Sequence, residues 1–479
     1  MHPRFVFYSL SRILGILAIA MIPPLLLSYS YHETIHYHFL FPILILGLLS
    51  LYSYRYQHSN LDLTIQESIL IVVASWILAS AFGALPFLFD HILPSYTDAF
   101  FETMSGFTAT GSTVLPDIDS VPKSVLFWRS ETHWLGGMGI VVLAIAIFPS
   151  LRHKNTLFSS EAPNPISEER LFPRIAQVAL SYWKVYVILT VVEIVLLLPA
   201  MGVYDAVTHA FATIAGGGFS THNASIAYFH SLYVETVVMV FMIIGATSFV
   251  LHYQALHGKF LYLKNTAMRL FLLTILVGTL LVTFNLYFFY HGEMTWLTAL
   301  RKAAFQVVSV VTTTGFATED FKVWPAFSIL VLMVLMFVGG TSASTSGSIK
   351  IWRLDIMIKD FRRRYHQILH PNLVEHLYAN QRLIPPGTQI KVQGFIISYI
   401  TIFFLSGLIL TLLGNSPGTA FSASAATLGN VGPGIDLVGP FDNFAHFSSL
   451  GKWILSLNML LGRLEIWTVF TLFLPEFWL

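Results

Sequence analysis

The segment Ser105-Gly-Phe-Thr-Ala-Thr-Gly-Ser-Thr113 decides the fold, because three similar segments follow it along the chain. These read Thr213-Ile-Ala-Gly-Gly-Gly-Phe-Ser-Thr221, Val311-Thr-Thr-Thr-Gly-Phe-Ala-Thr318 and Ala426-Thr-Leu-Gly-Asn-Val-Gly-Pro433. In each copy a short apolar stretch of helical character leads into hydroxyl and glycine residues. Alignment of the copies puts Gly111, Gly218, Gly315 and Gly429 in register, at separations of 107, 97 and 114 residues. A period of about 100 residues predicts a repeat architecture.

Each segment lies between two apolar runs that are long enough to cross a bilayer, which takes about 20 mainly apolar residues. Roughly ten such runs occur, and the first two stand outside the repeat. Helices buried in a large soluble protein are a poor alternative, because polar faces are missing between the runs. The runs lie near Ile13–Tyr29, Phe39–Tyr54, Ile69–Phe89, Phe127–Phe148, Val178–Met201, Tyr233–His252, Leu270–Tyr290, Phe327–Gly340, Val392–Leu413 and Trp453–Phe473.

The composition agrees with a membrane protein. Of the 479 residues, 55% are hydrophobic and only 11% are charged, against about 25% charge in an average soluble domain. This balance excludes an ordinary cytosolic enzyme and a disordered chain. A net charge of +1 argues against a nucleic-acid partner. Cysteine is absent, which excludes disulfides, thiolate metal sites and a cysteine nucleophile.

Basic residues cluster in alternate loops, and the positive-inside rule predicts that these loops and both termini face the cytoplasm. The opposite loops are acidic and would attract cations. The first run lacks a small-residue cleavage site and carries Pro23-Pro24, so it is not expected to be a cleaved signal peptide. The basic residues include Arg4, Arg12, Arg55, Arg152, Lys154, Arg170, Arg174, Lys259, Lys264, Arg269, Lys350, Arg353, Lys359, Arg362, Arg363 and Arg364. The acidic ones are Asp90, Asp98, Asp117, Asp119, Asp205, Glu319, Asp320, Asp436 and Asp442.

The four glycine-containing segments are too short to cross a bilayer. Non-helical backbone at membrane depth is tolerated only inside protein or beside a wet cavity, so each segment is predicted to be a re-entrant pore loop. Ordinary extracellular turns are the alternative, and four copies in matched register disfavour it. We therefore predict an all-α polytopic membrane protein with two N-terminal helices and four span–pore helix–span repeats around a central pore. The predicted units are 1–60 for the helix pair, then 61–155, 156–258, 259–365 with a broken gate helix, and 366–479.

The glycines suggest what the pore does. A dehydrated cation needs oxygen ligands, which rings of backbone carbonyls supply, and glycine reaches the backbone angles that turn carbonyls toward an axis. No Asp or Glu lies in the four segments, so the ring suits a large, weakly hydrated ion such as K⁺. The residues before the glycines carry only two hydroxyls, so an innermost site of four threonine hydroxyls is not expected. The predicted filter residues are Ala109, Thr110, Gly111, Gly216, Gly217, Gly218, Thr313, Thr314, Gly315, Thr427, Leu428 and Gly429.

Seven motifs in order make the chain resemble the TrkH/KtrB/HKT superfamily of potassium transporters, and within it the TrkH family. They begin at Gly106, Trp134, Gly217, Thr313, Gly339, Thr427 and Leu461. The resemblance implies a K⁺-conducting subunit of a bacterial inner membrane that works as a homodimer with a cytoplasmic TrkA-like nucleotide-binding regulatory subunit. In plant relatives a serine at the first filter position accompanies Na⁺ transport, so Gly111 favours K⁺.

The stretch Gly339–Ser348 contains only Gly, Ser, Thr and Ala. Such a run weakens a helix, and the resemblance makes it a mobile gate loop below the filter. A small-residue helix-packing motif is the alternative. Arg463 interrupts the last span, where a charge is expensive; it would repel cations in the pore, pair with Glu465 or cap loop carbonyls. The predicted gate residues are Gly339, Gly340, Thr345, Gly347, Lys350 and Arg463.

The remaining patterns exclude other functions. No Walker A or Rossmann fingerprint occurs, so no nucleotide or other cofactor is expected in this chain beyond K⁺ ions in the filter. His32, His36 and His38 match no zinc-site spacing, and no Gly-x-Ser-x-Gly nucleophile motif indicates an enzyme. Two alternatives stay open: a Na⁺-permeable or weakly selective channel of the same fold, and a K⁺/H⁺ symporter. A carrier with alternating access would need inverted repeats, whereas these run parallel.

Overall fold

The computed structural model describes residues 1–56, 64–89, 92–139, 175–290, 293–380 and 382–478, with side chains from residue 179 in the fourth range. Its helices are α1 Pro3–Ala20, α2 Ile22–Ser30, α3 His36–Ser53, α4 Ile65–Gly83, α5 Leu85–Leu88, α6 Tyr96–Phe107, α7 Lys123–Gly137, α8 Ile175–Leu197, α9 Val203–Ala215, α10 Leu232–Gly245, α11 Phe249–Leu256, α12 Thr266–Phe289, α13 Trp296–Val311, α14 Ala326–Leu335, α15 Ile351–Leu369, α16 Pro386–Leu412, α17 Pro417–Leu428, α18 Ser449–Leu464, α19 Ile466–Phe470 and α20 Pro475–Trp478.

The prediction of an all-α polytopic membrane protein is confirmed. Within the described ranges, six helices are long and apolar enough to cross a membrane, and two bent pairs raise that number to eight. The strands described are the two-residue β1 Tyr378–Ala379 and β2 Arg382–Leu383, which pair antiparallel. The fourth predicted span, Phe127–Phe148, is described only as far as residue 139. Asp90 and the basic loop with Arg152, Lys154, Arg170 and Arg174 lie outside the described residues.

The N-terminal helices form a unit beside the repeats. Helices α1 and α2 form one apolar stretch, Pro3–Ser30, and Pro23 and Pro24 stand in the first turn of α2, where the missing amide protons cost no helical bond. Helix α1 packs on α3. The contact is close at Gly15, where an added Cβ would lie 2.5 Å from the Ser50 hydroxyl oxygen. Small residues allow such close approach of membrane helices.

Four short helices follow the outer spans and correspond to the predicted pore helices: α6, α9, α13 and α17. They contain 12, 13, 16 and 12 residues, which at about 1.5 Å per residue is too short to cross a bilayer. Side-chain oxygens of Ser95, Thr295 and Ser416 accept backbone N–H bonds at the starts of three of them. These caps satisfy amides that a helix start leaves unbonded. The unit boundaries inferred from the sequence stay predictions.

The second span of the repeats is broken more often than the sequence indicated. A break was predicted only in the third repeat, where α14 ends at Leu335 and α15 begins at Ile351. Helices α10 and α11 also meet at an angle of 101°, and the α18 pair bends by 116° at Glu465, which has φ +63°. The predicted runs Tyr233–His252 and Trp453–Phe473 are therefore long enough to span only as bent pairs, and the sequence analysis did not predict the bends. The physical reason is that backbone or side-chain groups at each break have hydrogen-bonding or charged partners within the protein. These partners are described below with the pathway.

A buried ion pair joins the first repeat to the fourth. The Lys452 ammonium on α18 contacts the Asp98 carboxylate on α6, and each side chain is only 9% exposed. Ser95 also donates a hydrogen bond to Asp98, at 2.6 Å. Because removing one member of a buried pair leaves the other charge uncompensated, this contact should matter more than the more accessible pair Lys302–Glu319, whose side chains are 28% and 32% exposed.

We expect Lys452→Met to lower the free energy of unfolding by about 3–5 kcal/mol, because Asp98 then stays buried without its cation. The Asp98→Asn/Lys452→Met double variant should lose less. Unfolding of detergent-solubilised protein measures both values. Lys302→Met, which breaks the more accessible pair, is the control and should change stability by less than about 1 kcal/mol. Equal losses for Lys452→Met and Lys302→Met would contradict the assignment.

Candidate ion pathway

The four pore helices end in the same backbone turn. The residues after them, Ala109, Gly216, Thr313 and Asn430, have φ of +50°, +70°, +58° and +51°. The N–H of the next residue bonds the carbonyl five residues earlier in every copy: Thr110 to Ser105, Gly217 to Ala212, Thr314 to Ser309 and Val431 to Ala426, at 2.8–2.9 Å. A glycine with positive φ comes next, and these glycines are Gly111, Gly218, Gly315 and Gly432.

The predicted register is therefore wrong in the fourth copy. Thr427 and Leu428 belong to the last turn of α17, and Gly429 caps it with right-handed angles, φ −78° and ψ −9°. Gly432 takes the position that the alignment gave to Gly429, and Val431 precedes it. The physical reason is that glycine fits a right-handed helix cap as well as a left-handed turn, so the sequence did not distinguish two glycines three residues apart.

The four glycines close a ring in which each touches the next segment. A Cβ added at Gly111 would lie 2.1 Å from the Gly217 carbonyl oxygen, and one added at Gly218 would lie 2.0 Å from that of Thr314. A Cβ added at Gly315 would lie 2.1 Å from the Val431 carbonyl oxygen, and one added at Gly432 would lie 2.7 Å from that of Thr110. Both the positive φ and the lack of space require glycine here. The predicted filter residues of the first three copies thus come together, joined in the fourth by Asn430, Val431 and Gly432.

Side-chain hydroxyls brace the ring from the side. The Thr110 hydroxyl bonds that of Thr108 at 2.7 Å and accepts from the Asn430 amide at 2.9 Å. Thr314 bonds Thr312 in the same way, at 2.9 Å. These hydroxyls are used in fixing the turns, which leaves backbone carbonyls as the repeated oxygen group around the ring. Asn430 had no role in the sequence prediction, because its partner is 320 residues away.

A buried ion pair holds the outer side of the first two segments. Arg129 contacts Glu102 at 2.6 Å and donates to the Ser220 carbonyl at 2.8 Å. Glu102 accepts from the Val114 N–H at 2.8 Å and from the Thr113 hydroxyl at 2.9 Å. The carboxylate of Glu102 and the guanidinium of Arg129 therefore bond the extended segments that follow the first and second turns. Sequence analysis missed Glu102, which stands seven residues before the first predicted filter residue, Ala109.

Above the ring lies an open cavity lined by residues of all four repeats, with about 600 Å³ of empty space when the solvent at its mouth is counted. Its outer loops are pinned to one another. Asn223 accepts from the Ile118 N–H at 2.8 Å and donates to Asp117 and Asp119 at 2.6 and 2.8 Å. Lys322 pairs with Asp442 between the third and fourth repeats. Several of the acidic residues expected to attract cations are thus engaged in loop-to-loop contacts.

His222 also lines this cavity and lies among carboxylates. Its Nδ1 is 3.1 Å from Asp119, its Nε2 is 3.6 Å from Asp205, and its ring stacks on Tyr228 at 3.5 Å. His209 lies near enough for the charge of His222 to act on it. Partial burial lowers the pKa of His222, but the bonds to Asp205 and Asp119 outweigh burial, so the pKa lies above its ordinary value.

Below the ring, the small-residue stretch forms a buried loop between α14 and α15. Thr345 donates to the Gly245 carbonyl through its N–H at 3.2 Å and its hydroxyl at 3.0 Å. Thr341 bonds the Ala246 carbonyl at 2.9 Å through its N–H. The break between α10 and α11 therefore finds its hydrogen bonds in this loop, which satisfies the rule for non-helical backbone at membrane depth.

Arg463 donates hydrogen bonds to carbonyls at the end of α7 and in the loop between α14 and α15. It donates to the carbonyls of Gly136 and Gly137, at 2.7 and 2.6 Å, and to that of Thr345 at 2.6 Å. Of the roles considered for Arg463, carbonyl capping is therefore observed. Glu465 does not pair with it among the contacts described; Glu465 pairs with Arg353 of α15 at 2.6 Å. The predicted gate residues Gly339, Gly340, Thr345 and Gly347 lie in the loop, and Lys350, with φ +68°, precedes α15.

A metal-binding cluster of three or more His, Asp or Glu side chains is not found in the parts of the chain described. His36 of the histidine group bonds the Ser28 hydroxyl at 2.8 Å and stacks on Tyr29.

A family model described as TrkH, cation transport protein, matches residues 35–478. The chain belongs to the TrkH family. It is 38% identical to the Trk system potassium uptake protein TrkH of Salmonella typhimurium, over 98% of this chain and 99% of that protein. It is 31% identical to the Trk system potassium uptake protein TrkG of Escherichia coli K12, over 100% and 99%. The crystal structure of the potassium transporter TrkH from Vibrio parahaemolyticus superposes with a TM-score of 0.90 at 34% identity, covering 100% of both chains.

Membership of the TrkH family confirms the resemblance drawn from the seven motifs. It also confirms that the chain is a transport protein and not an enzyme. The spanning helices make this TrkH-family chain a multi-pass membrane protein. Its similarity to the solved TrkH structure extends over the whole length, including the N-terminal helix pair.

We expect His222 to stabilise the outer loops in a pH-dependent way. Because its pKa is raised, the stabilisation is complete below the ordinary histidine pKa of 6.5 and is lost as the pH rises through the raised value. His222→Gln should therefore lower the unfolding temperature more at pH of about 5.5 than at about 8.5. The control is His230→Gln at an exposed outer histidine. A His222→Gln effect that is equal at both pH values would refute the coupling.

Proposed function

We propose that this chain is the K⁺-conducting subunit of a potassium uptake system. The observation that carries the proposal is the closed ring of Gly111, Gly218, Gly315 and Gly432, in which each glycine lies against a backbone carbonyl of the next segment. Carbonyl rings replace the water of a weakly hydrated cation. The names of the relatives, potassium uptake proteins and a potassium transporter, support K⁺ as the ion.

The buried loop 339–348 is proposed to be the gate. It lies beneath the ring and touches three of the four turns. A Cβ added at Gly216 would lie 3.3 Å from the Thr345 hydroxyl oxygen, and one added at Gly347 would lie 2.5 Å from the Gly429 carbonyl oxygen. Thr313 accepts a hydrogen bond from the loop directly. The Arg463 guanidinium adds a positive charge beside Thr345. A loop in this place, with that charge, would hold cations back until it moves.

The membrane potential is the proposed driving force. Moving one charge through 100 mV is worth about 2.3 kcal/mol, so a gated pore would concentrate K⁺ without a second coupled ion. We further propose a bacterial inner-membrane location with both termini in the cytoplasm. Helix α15 would then leave the gate on the cytoplasmic side, where its exposed apolar residues support docking of other protein. These include Ile358, Phe361, Tyr365 and Ile368.

The partners proposed for that face are a second copy of the chain and a TrkA-like nucleotide-binding regulator. In the proposed homodimer α15 would lie next to its counterpart, and the basic residues Arg362, Arg363 and Arg364 lie on the same helix. Lipid surrounds the remaining apolar surface. Nucleic acid is not a proposed partner, because the charges balance across the chain.

The register of the filter is testable by comparing Gly432→Ala with Gly429→Ala. We expect Gly432→Ala to reduce the preference for K⁺ over Na⁺ at least about tenfold, because a Cβ there meets the Thr110 carbonyl at a positive φ. Gly429→Ala should fold less well, since its Cβ would lie 2.9 Å from the Ala425 carbonyl oxygen, yet keep the preference. Flux of K⁺, Rb⁺ and Na⁺ into proteoliposomes measures this.

Gly387→Ala is the control for that experiment, since an added Cβ there meets no atom within 4 Å. Loss of preference in Gly429→Ala alone would restore the register drawn from the sequence. A wild-type protein that passes Na⁺ as well as K⁺ would favour the weakly selective channel. Uptake that requires a proton gradient would favour K⁺/H⁺ symport.

Removing residues 341–346 should raise basal K⁺ flux, because most of the proposed gate loop is then absent from beneath the ring. The ends can rejoin: a Cβ on Gly339 would lie 2.5 Å from the Gly347 carbonyl oxygen, and Gly340 N–H bonds Ser346 at 2.7 Å. The measurement is K⁺ flux in proteoliposomes without any regulator. Arg463→Gln, which keeps the loop but weakens its hold on Thr345, should give an intermediate flux. A folded deletion variant with wild-type flux would show that the loop is not the gate.

A further inference from the structure

The left-handed turns that begin the filter differ in one respect that matters for the gate. Three of the four positions carry Ala109, Gly216 and Asn430, but the third carries Thr313 at φ +58°. A left-handed conformation is a genuine outlier for a β-branched residue. Glycine would adopt this turn without strain. The presence of threonine at this buried position, which is only 1% exposed, indicates a role for its hydroxyl group.

That hydroxyl is bonded to the gate loop. Thr313 Oγ1 accepts from the Gly347 N–H at 2.9 Å and lies 3.1 Å from the Ser346 hydroxyl oxygen. Ser346 in turn accepts from the Gly340 N–H at 2.7 Å. The Thr313 hydroxyl therefore bonds the C-terminal end of the loop directly, through Gly347 and Ser346. It connects to the N-terminal end through Ser346, which bonds Gly340.

The other three turns lack an equivalent bond to the loop among the described contacts. Asn430 sends its amide group to the Thr110 hydroxyl and to the Met459 carbonyl, at 2.9 and 3.0 Å. Gly216 has no side chain and accommodates Thr345 by contact alone. The side-chain hydrogen bond between filter and loop is thus concentrated at the third turn, two residues before Gly315.

We infer that the Thr313 hydroxyl is the latch that holds the gate loop against the base of the filter in the closed state. The inference rests on the proposed function, because it assumes that loop 339–348 is the gate. Thr313 acts here as a positioning residue: it fixes the loop, and its hydroxyl is released when the loop moves. Opening then breaks the Thr313 bonds while the carbonyl ring, which is held by its own neighbours, stays assembled.

The test compares basal K⁺ flux in proteoliposomes for wild type, Thr313→Val, Thr313→Ser and Thr313→Gly. Valine keeps the shape of threonine without the hydroxyl, so flux should rise roughly tenfold, the shift expected from losing two buried hydrogen bonds of ordinary net strength. Serine should restore low flux. Glycine also removes the hydroxyl but suits the left-handed turn, so its flux should rise in a protein that folds at least as well as wild type.

Thr283→Val is the matched control. Thr283 is buried in the outer span of the same repeat, and its hydroxyl bonds only the Thr279 carbonyl, at 2.6 Å, in the described structure. Its flux should stay at the wild-type level. The ratio of K⁺ to Na⁺ flux should also stay within about twofold of wild type in Thr313→Val, because the glycine ring is intact. A changed ratio at unchanged basal flux would instead make Thr313 a filter residue and overturn the latch.

The deletion of residues 341–346 separates this inference from the proposed function. In that background Thr313→Val should add nothing, because the loop that it would release is gone. If the deletion raises flux but Thr313→Val behaves as Thr283→Val in the full-length chain, the latch is wrong and the gate stands. If the deletion itself leaves flux unchanged, the gate fails and the latch fails with it.

Discussion

A backbone that leaves its helix inside a membrane has no water to bond, so every exposed N–H and carbonyl group must find a partner within the protein. This chain leaves its helices at many points: after four pore helices and in the second spans of several repeats. The carbonyls at the end of α7 bond Arg463, and those at the break after α10 bond Thr341 and Thr345. The loop beneath the ring therefore supplies hydrogen bonds to a helix that breaks inside the membrane, in addition to its proposed role as the gate.

The same requirement shapes the ring above it. Each of the four turns bonds within its own pore helix and then lies against the next segment, in the order first, second, third, fourth and first again. A ring closed in this way is held by the segments themselves. Because one chain supplies all four, the positions need not be identical, and the residues before the glycines differ: Thr110, Gly217, Thr314 and Val431. Behind the ring, the Glu102–Arg129 pair adds fixed charge.

Much of this arrangement could be predicted from the sequence, because glycine, hydroxyl and apolar patterns report directly on backbone geometry and on burial. The repeat of short segments between spans, the two leading helices and the non-helical stretch at 339–348 are of this kind. The register of the fourth turn could not be predicted, since Gly429 and Gly432 both fit some part of a helix end. The bends at Ala246 and Glu465 were also missed, because an apolar run reads as a continuous span whether or not its carbonyls have distant partners. The pairs Asp98–Lys452 and Glu102–Arg129 join residues far apart or on different elements, which no local pattern records.

In the proposed function, the asymmetry of the ring lets one pore be both rigid and gated. Contacts that maintain the glycine ring come from neighbouring turns and from the outer side, through Glu102 and Arg129. Contacts to loop 339–348 come from beneath, and the side-chain bonds described between a filter turn and this loop are both made by Thr313. A regulator that pulls on α15 would act through Arg353 and Glu465 on the break in the last span, close to Arg463. In the proposed mechanism such a pull removes the loop while the ring keeps its own contacts, so the carbonyls that select the ion need not rearrange when the path opens.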